Sequence, residues 1–176
     1  MVKVLKFLAY ILFFIVMIIY FMPKSNLYYF AEQELEKNKV IFSNEEIKDN
    51  GLSLNIDNID VSFEGIESAN VQSVNLKTFL VYNSLNVENI KLSDMAASFV
   101  PLVIENVNVS YSILNPLNVV ASANGEFGEA SAAFNILDSN LSILLMPSPL
   151  MLKKYKNTLR QMKKNESGEY VYVKTF

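Results

Sequence analysis

Residues 52–63 read Leu-Ser-Leu-Asn-Ile-Asp-Asn-Ile-Asp-Val-Ser-Phe, and from this stretch the fold is predicted. Apolar residues occupy the even positions up to Ile56 and the odd positions from Ile59 onward. Alternation with a period of two is typical of a β-strand that buries one face. Asp57 and Asn58 are two polar residues where alternation allows one. We therefore expect a bulge or tight bend here, after which the apolar side chains return to the same face.

The same phrase occurs three times, at residues 56–62, 87–93 and 104–110. Each copy reads aliphatic, acid, Asn, aliphatic, any residue, aliphatic, Ser, and each changes the parity of the apolar positions. Asn tolerates left-handed backbone angles, which suits a bend. The alternative is coincidence in a chain rich in Asn, Ile and Val. The predicted bend positions are Asn58, Asn89 and Asn106.

Alternating segments continue on both sides of this stretch, from residue 40 to residue 145. Turn signals separate them, of which Asn124-Gly125 is the clearest. The pattern predicts a mainly β fold with flanking helices, built on a curved, half-barrel-like antiparallel meander. The further predicted strand segments are 71–76, 79–82, 85–92, 102–111, 117–123, 130–136 and 141–145.

The first residues predict a transmembrane anchor. Residues 4–22 carry one charge, Lys6, and as a helix they span about 28 Å, close to the thickness of a bilayer's hydrocarbon core. Pro23 cannot continue that helix. A cleaved signal peptide is the alternative, but no small-x-small cleavage site follows the apolar segment. The predicted anchor residues are Val4, Leu5, Phe7, Leu8, Ile11, Phe14, Ile15, Ile18, Ile19, Phe21 and Met22.

Charges around the anchor predict its orientation. Lys3 and Lys6 are at its start, whereas the acidic residues Glu32, Glu34 and Glu36 follow it. The positive-inside rule then places the N-terminus in the cytoplasm and residues 24–176 outside, which in a bacterium is the periplasmic side of the inner membrane.

Three regions follow from these patterns: an anchor over residues 1–23, a helical connector over 24–39, and a β-rich domain over 40–176. Ser25 is a suitable N-cap for a connector helix over 26–38. The apolar stripe of that helix would pack against the domain or bind a partner, and it consists of Leu27, Phe30, Ala31 and Leu35.

The C-terminal region predicts an amphipathic helix over residues 149–165, capped by Ser148-Pro149 and followed by a last strand. Its polar face is basic. The helix would either cover the sheet with its lysines in solvent, or contact anionic lipid headgroups or an acidic partner. The basic residues are Lys153, Lys154, Lys156, Arg160, Lys163 and Lys164.

Composition excludes most catalytic chemistry. The 176 residues contain no Cys and no His, so thiolate zinc sites, cysteine nucleophiles and the usual general base are absent. Carboxylate pairs such as Glu45-Glu46, or Glu126 with Glu129, lack any motif that would place them in an active site. We expect neither enzymatic activity nor a cofactor or metal.

Charge and a short motif bear on partners. Without Lys3 and Lys6, 13 basic residues stand against 18 acidic ones, which disfavours nucleic-acid binding. Asp138-Ser139-Asn140-Leu141-Ser142 is similar to the extended acceptor motif of bacterial N-glycosylation, with Asn140 as the acceptor. The alternative is an ordinary polar hairpin turn.

Together these features resemble the type II secretion system protein N family and the wider AsmA-like proteins. The resemblance lies in one anchor, alternating strands with the repeated phrases, and the glycine-punctuated segments 124–129 and 168–172. It covers residues 40–146 and the tail, and it implies a half-open, apolar-lined β structure outside the inner membrane. The chain is shorter than typical members and its basic helix has no counterpart there, so no functional residue is carried over.

The resemblance implies a non-catalytic accessory or assembly subunit of a periplasm-facing machine, such as type II secretion or a related pilus or competence apparatus. Its partners would be the bilayer and other protein subunits. The alternative is an AsmA-like lipid-binding or lipid-transfer protein with acyl chains against an apolar concave sheet. A sheet covered by helix 149–165 would favour the first function, and an uncovered apolar face the second.

Overall fold

The computed structural model describes residues 2–176 and consists of one large sheet with helices near its two edges. Helices α1 and α2 precede the sheet, and two short helices, α3 and α4, lie between its last strands. A short 3₁₀ helix occupies Asp94–Ser98. The helices are α1 (Val2–Phe21), α2 (Ser25–Lys37), α3 (Pro149–Lys154) and α4 (Lys156–Leu159).

Eleven antiparallel strands form the sheet in the order β1-β3-β4-β5-β6-β7-β8-β9-β11-β10, and β2 pairs with β3 beside β1. The sheet is open, and the prediction of a mainly β, antiparallel meander is confirmed. The strands are β1 (Val40–Ser43), β2 (Glu46–Asp49), β3 (Ser53–Phe63), β4 (Ile66–Thr78), β5 (Tyr82–Leu92), β6 (Val103–Ser112), β7 (Asn118–Gly125), β8 (Gly128–Asn135), β9 (Asn140–Pro147), β10 (Lys163–Lys164) and β11 (Tyr170–Thr175).

Helix α1 is long and apolar enough to cross a membrane, and none of its residues is buried against the rest of the chain. Its last carbonyl groups lack partners within the helix, as at every helix C-terminus. Lys24 supplies donors, since its Nζ lies 2.6 Å from the carbonyl oxygen of Ile19 and 2.8 Å from that of Met22. The Lys24 side chain is thereby buried at the junction between α1 and the domain.

Helix α2 differs from the predicted connector helix in two respects. Ser25 lies inside its first turn, and the N-cap position is taken by Lys24, without a side-chain cap. The buried residue of the helix is Tyr28, whereas Phe30 remains exposed. Leu27, Ala31 and Leu35 of the predicted stripe do face the sheet. Tyr28 takes the place of Phe30, and its ring stacks on Phe42 of β1 at a centroid distance of 6.3 Å.

The break in alternation runs straight across four strands. Asn58 of β3 lies opposite Gln72 of β4, which lies opposite Asn89 of β5, and this residue lies opposite Glu105 of β6. All four side chains are exposed, and Asn89 donates to Gln72 over 2.7 Å. We call this row the crease. On both sides of it the apolar residues face the same way.

Backbone angles differ along the crease. Asn58 and Asn89 have φ of 58° and 51°, the left-handed region that Asn tolerates. Asn106 lies inside β6 without a positive φ, and the unpaired residue of its copy is Glu105, where the register with β7 shifts. Strand β6 therefore has its irregularity at Glu105, one residue before the predicted bend at Asn106.

The two faces of the sheet differ sharply in chemistry. On one face a row of amides crosses four strands, since Asn55, Asn75, Asn86 and Asn108 pair in register. The opposite face carries rows of aliphatic residues that continue from β3 through β9. Strands with one polar and one apolar side are the expected result of period-two alternation.

The C-terminal region corrects the predicted helix over 149–165. Ser148 caps its start, with its hydroxyl accepting from the N–H of Met151 at 3.2 Å. The helix breaks at Tyr155, whose ψ is 36°, and after α4 the chain enters β10. The basic residues Lys163 and Lys164 are in strand conformation because they pair with Val171 and Tyr170.

One predicted strand segment is a turn. Residues 79–81 connect β4 to β5, and only Tyr82 of the segment 79–82 belongs to a strand. Its apolar composition, Phe79-Leu80-Val81-Tyr82, is typical of a strand and led to the prediction.

Candidate functional site

Helices cover the apolar face of the sheet near both of its edges, α2 over the first strands and α3 with α4 over the last ones. Under α2 a buried cluster joins strands β3 and β4 to the helix, and it contains Tyr28, Leu54, Ile56, Ile59 and Val71. Under α3 and α4 a second buried cluster contains Leu145, Met151 and Leu159. No residue of β6 or β7 belongs to either cluster. A strip of the apolar face therefore lies between the two covers.

This middle strip consists of small and medium aliphatic side chains. Val107 and Val109 of β6 pair in register with Ala123 and Ala121 of β7. Beside the strip, at the edge of α3 and α4, opens a cavity of about 320 Å³. Its lining includes Ala130, Ile143 and Met162, so the strip and the cavity form one apolar surface.

A larger apolar cleft lies between α2 and the sheet. Its volume is about 420 Å³, within the range of about 300–1,000 Å³ that is typical of small-ligand sites. Every lining residue is aliphatic or aromatic, and the residues are Leu27, Tyr28, Ala31, Leu35, Phe42, Leu54, Ile56, Ile59, Val61, Val71, Val74, Leu76, Leu85 and Val87. The cleft lies directly after the anchor in the chain.

Tyr28 carries the one polar side-chain group of that lining. Its hydroxyl is buried and has no hydrogen-bond partner among the described residues. Burial raises the pKa of Tyr28 well above its ordinary value, and the charges of Glu45 and Glu32 raise it further. The hydroxyl therefore stays protonated at physiological pH, with the Glu45 carboxylate beside it as an acceptor.

The predicted basic residues are all exposed and do not share one helix face. They are distributed over α3, α4, the following turn and strand β10. Lys156 and Arg160 line a groove of about 330 Å³ together with Leu152 and Leu159. Lys164 has its Nζ 5.9 Å from the centroid of the Tyr170 ring. This arrangement offers separate cations along an edge rather than a single basic stripe.

Within residues 2–176, carboxylates do not form a group of three or more that could hold a metal ion. Asp60 instead accepts from Asn44 and Asn70, both at 2.7 Å, and these bonds hold its pKa below the ordinary range. The Asp60 carboxylate is therefore ionised near neutral pH, and its two hydrogen bonds join β3 to the β1–β2 turn and to β4.

Asn140, the predicted glycosylation acceptor, is the first residue of β9 and lies between β8 and β11 in the sheet. Its amide oxygen is buried. This position differs from the exposed loop in which an acceptor asparagine is normally found.

Two features of the site were missed in the sequence. Tyr28 precedes Ala31 by three residues and Leu35 by seven, so the helical spacing places it on the same face as these two residues. The step Val71-Gln72-Ser73-Val74 repeats the parity change of β3 without an Asn, and a search for two polar residues between aliphatics would have found it.

Comparison of the chain with protein-family models, with curated proteins and with solved structures finds no match.

Proposed function

We propose that the protein is a non-catalytic, membrane-anchored accessory subunit that binds other protein subunits through the middle strip of its sheet. The resemblance points to a bacterial inner-membrane machine of the type II secretion, pilus or competence class. The observation that carries the proposal is the apolar strip on β6 and β7, which neither helical cover includes. The valines and alanines of the strip are half-buried, and an apolar strip that neither helical cover includes can accept the side chains of a partner.

The edges of the sheet support the same function. Strand β10 has only two residues, and β1 and β2 have four each. Short edge strands limit uncontrolled pairing with other chains. Binding through the face of the sheet, with side chains providing the specificity, therefore fits this domain better than strand addition at an edge.

Photocrosslinking in native membranes tests this proposal. Ala123 points to the apolar face and its neighbour Ser122 to the polar face, so the two positions form a matched pair. A photoreactive amino acid at Ala123 should yield adducts with a defined protein, and the same residue at Ser122 should not. Equal adduct patterns at both positions, or no protein adduct at Ala123, would refute the proposal.

The second candidate is binding of an acyl chain, and the cleft under α2 favours it. All of its lining residues are aliphatic or aromatic, which suits the hydrocarbon part of a lipid. An acyl chain would lie against the aliphatic rows with its polar end outside the cleft.

A cleft-filling substitution tests this candidate. Ala31 lines the cleft, whereas Gln33 is exposed elsewhere on α2. Ala31→Phe should lower several-fold the phospholipid that co-purifies with the full chain and is measured by mass spectrometry, and Gln33→Phe should not. Equal lipid content in both variants would exclude the cleft as a lipid site.

The proposed orientation places residues 24–176 on the periplasmic side of the membrane. Because the chain contains no Cys, a single cysteine reports accessibility without background. Glu64→Cys lies in the exposed β3–β4 turn, and a membrane-impermeant maleimide should label it in intact spheroplasts. Labelling that requires lysis would reverse the orientation.

A further inference from the structure

Three hairpin turns at one end of the sheet have apolar tips. The turn between β4 and β5 is Phe79-Leu80-Val81, the turn after β6 includes Ile113 and Leu114, and the turn after β8 includes Ile136 and Leu137. These side chains face solvent, with Leu114 exposed by 88% and Leu137 by 72%. We call Phe79, Val81, Ile113, Leu114, Ile136 and Leu137 the anchor-side tips.

Such composition is unusual for turns. Hairpin turns are normally rich in Gly, Asn, Asp, Ser and Pro, because these residues adopt turn geometry and remain solvated. At the opposite end of the sheet the β3–β4 and β7–β8 turns contain Glu64-Gly65 and Glu126. Exposed apolar residues occur there too, at Met95 and Phe99 in the β5–β6 connection, but that end is not the one to which α1 is attached. Among the residues of the three apolar turns, Asp138 is the one that carries a charge.

The apolar turns lie at the end of the sheet where α1 is attached. The N–H of Lys24 donates to Oδ2 of Asp49, the last residue of β2, at 2.7 Å. Gly51, in the turn that leads into β3, lies so close to the ring of Tyr20 that a Cβ there would come within 2.5 Å of it. The end of α1 and the start of β3 are thus in contact.

Backbone hydrogen bonds join this contact point to the tips in sequence. The N–H of Thr78 donates to Leu52, that of Ile113 to Val81 at 3.1 Å, and that of Ile136 to Leu117 at 2.8 Å. With strands about 4.8 Å apart, the row from β3 to β9 extends about 30 Å along the end of the sheet. The tips form one continuous rim that begins at the anchor.

We propose that the anchor-side tips lie in the interfacial region of the same phospholipid bilayer that α1 spans. Exposed Phe, Leu, Ile and Val side chains are stabilised there by burial among the acyl chains, as on the apolar face of an interfacial helix. Because α1 is attached at this end of the sheet, the bilayer that it would span begins beside the tips. The domain then contacts the membrane through both α1 and the tips, and these two contacts fix the orientation of the middle strip relative to the membrane plane.

Tryptophan fluorescence tests the proposal without background, because the chain contains no Trp. Single variants Phe79→Trp, Leu114→Trp and Leu137→Trp report on the rim. Phe99→Trp is the matched control, since Phe99 is exposed by 66% but lies beyond the far end of β5. That strand of 11 residues separates the two ends by about 35 Å. Phe14→Trp, within α1, gives the signal of full insertion.

The full-length protein is reconstituted in vesicles of phosphatidylcholine and phosphatidylglycerol, with or without lipid brominated near the top of its acyl chains. Brominated lipid should reduce emission from the rim variants roughly twofold or more, as expected for residues at interfacial depth, and leave Phe99→Trp unchanged. Rim emission that stays unquenched while Phe14→Trp is quenched would overturn the proposal. Phe79→Trp exchanges one exposed aromatic for another, so the test does not depend on the less conservative leucine variants. None of these outcomes depends on whether the middle strip binds a protein.

Discussion

The backbone N–H of Lys24 donates a hydrogen bond to Oδ2 of Asp49 at 2.7 Å, and this bond joins the end of the apolar helix to the first edge of the sheet. The same carboxylate accepts from the N–H of Gly51 through Oδ1 at 3.0 Å. The side chain of Lys24 meanwhile binds the last carbonyls of α1. The Lys24–Asp49 pair and the contact of Tyr20 with Gly51 therefore join the domain to α1.

The attachment should depend on pH through Asp49. Burial would raise the pKa of Asp49, but the N–H groups of Gly51 and Lys24 and the Lys24 charge outweigh it and hold the pKa below the ordinary 3.8. A lowered folded-state pKa gives stability that is present above the unfolded value and lost as the pH falls through the folded value. Because the carboxylate is exposed, its contribution should stay below about 1 kcal/mol.

Asp49→Asn is the variant that isolates this contribution. Thermal unfolding of the detergent-solubilised full chain, followed by circular dichroism, should show the variant less stable than the wild type near neutral pH. The two curves should converge as the pH falls through the lowered pKa of Asp49, where the wild-type carboxylate becomes protonated. A difference that stays constant over that acid range would contradict the role given to Asp49.

Two glycines with positive φ should respond very differently to substitution by Ala. Gly65 has a φ of 81° and open space around it, so Gly65→Ala should cost about 1 kcal/mol from backbone strain alone. Gly128 has a φ of 112°, and a Cβ there would lie 2.1 Å from the carbonyl oxygen of Met146. Since that atom belongs to a paired backbone, Gly128→Ala should cost at least about 3 kcal/mol or prevent folding. Equal losses in urea unfolding would show that the β8–β9 junction can relax.

The crease predicts a specific response at Asn58, whose side chain is exposed and whose φ is 58°. Asn58→Gly should leave stability nearly unchanged, because Gly adopts this conformation without strain. Asn58→Val should cost about 1–2 kcal/mol, because a β-branched residue does not tolerate it. Denaturant midpoints of the two variants make the comparison. Equal midpoints would mean that β3 can pass the crease with ordinary strand geometry.

The cover formed by α3 can be tested with two adjacent residues. Met151 is exposed by 3% and belongs to the buried cluster with Leu145, whereas its neighbour Leu152 is exposed by 41%. Met151→Ala should cost about 2–4 kcal/mol, through lost burial and the cavity that remains. Leu152→Ala should cost below about 1 kcal/mol. Similar losses for both would indicate that the helix does not dock on the sheet through Met151.

The strands were predictable because alternation is a local property. Leu54 and Ile56 lie on the buried face, and the parity change after them predicts that Ile59 shares that face, as it does. The sequence predicts the bend of β6 at Asn106, whereas the unpaired residue is Glu105. The difference arises because the register of β6 with β7 depends on pairing between segments that are distant in the chain. The helix over 149–165 was overextended for a similar reason. Its lysines at 163 and 164 fit a helical pattern, but pairing with Tyr170 and Val171 draws them into β10.

Sequence alone determined the apolar helix at the start, the antiparallel strands and their two-sided chemistry, because each follows from the spacing of residues close together in the chain. Only the tertiary structure decided that the end of α1 meets the sheet at Asp49 and Gly51, and that three apolar turns from distant parts of the chain align at the same end. In the sequence, Phe79-Leu80-Val81 has the composition of a strand. In the fold it is a turn at the end of the sheet to which α1 is attached, because strand pairing aligns hairpin tips that are more than 20 residues apart in the chain.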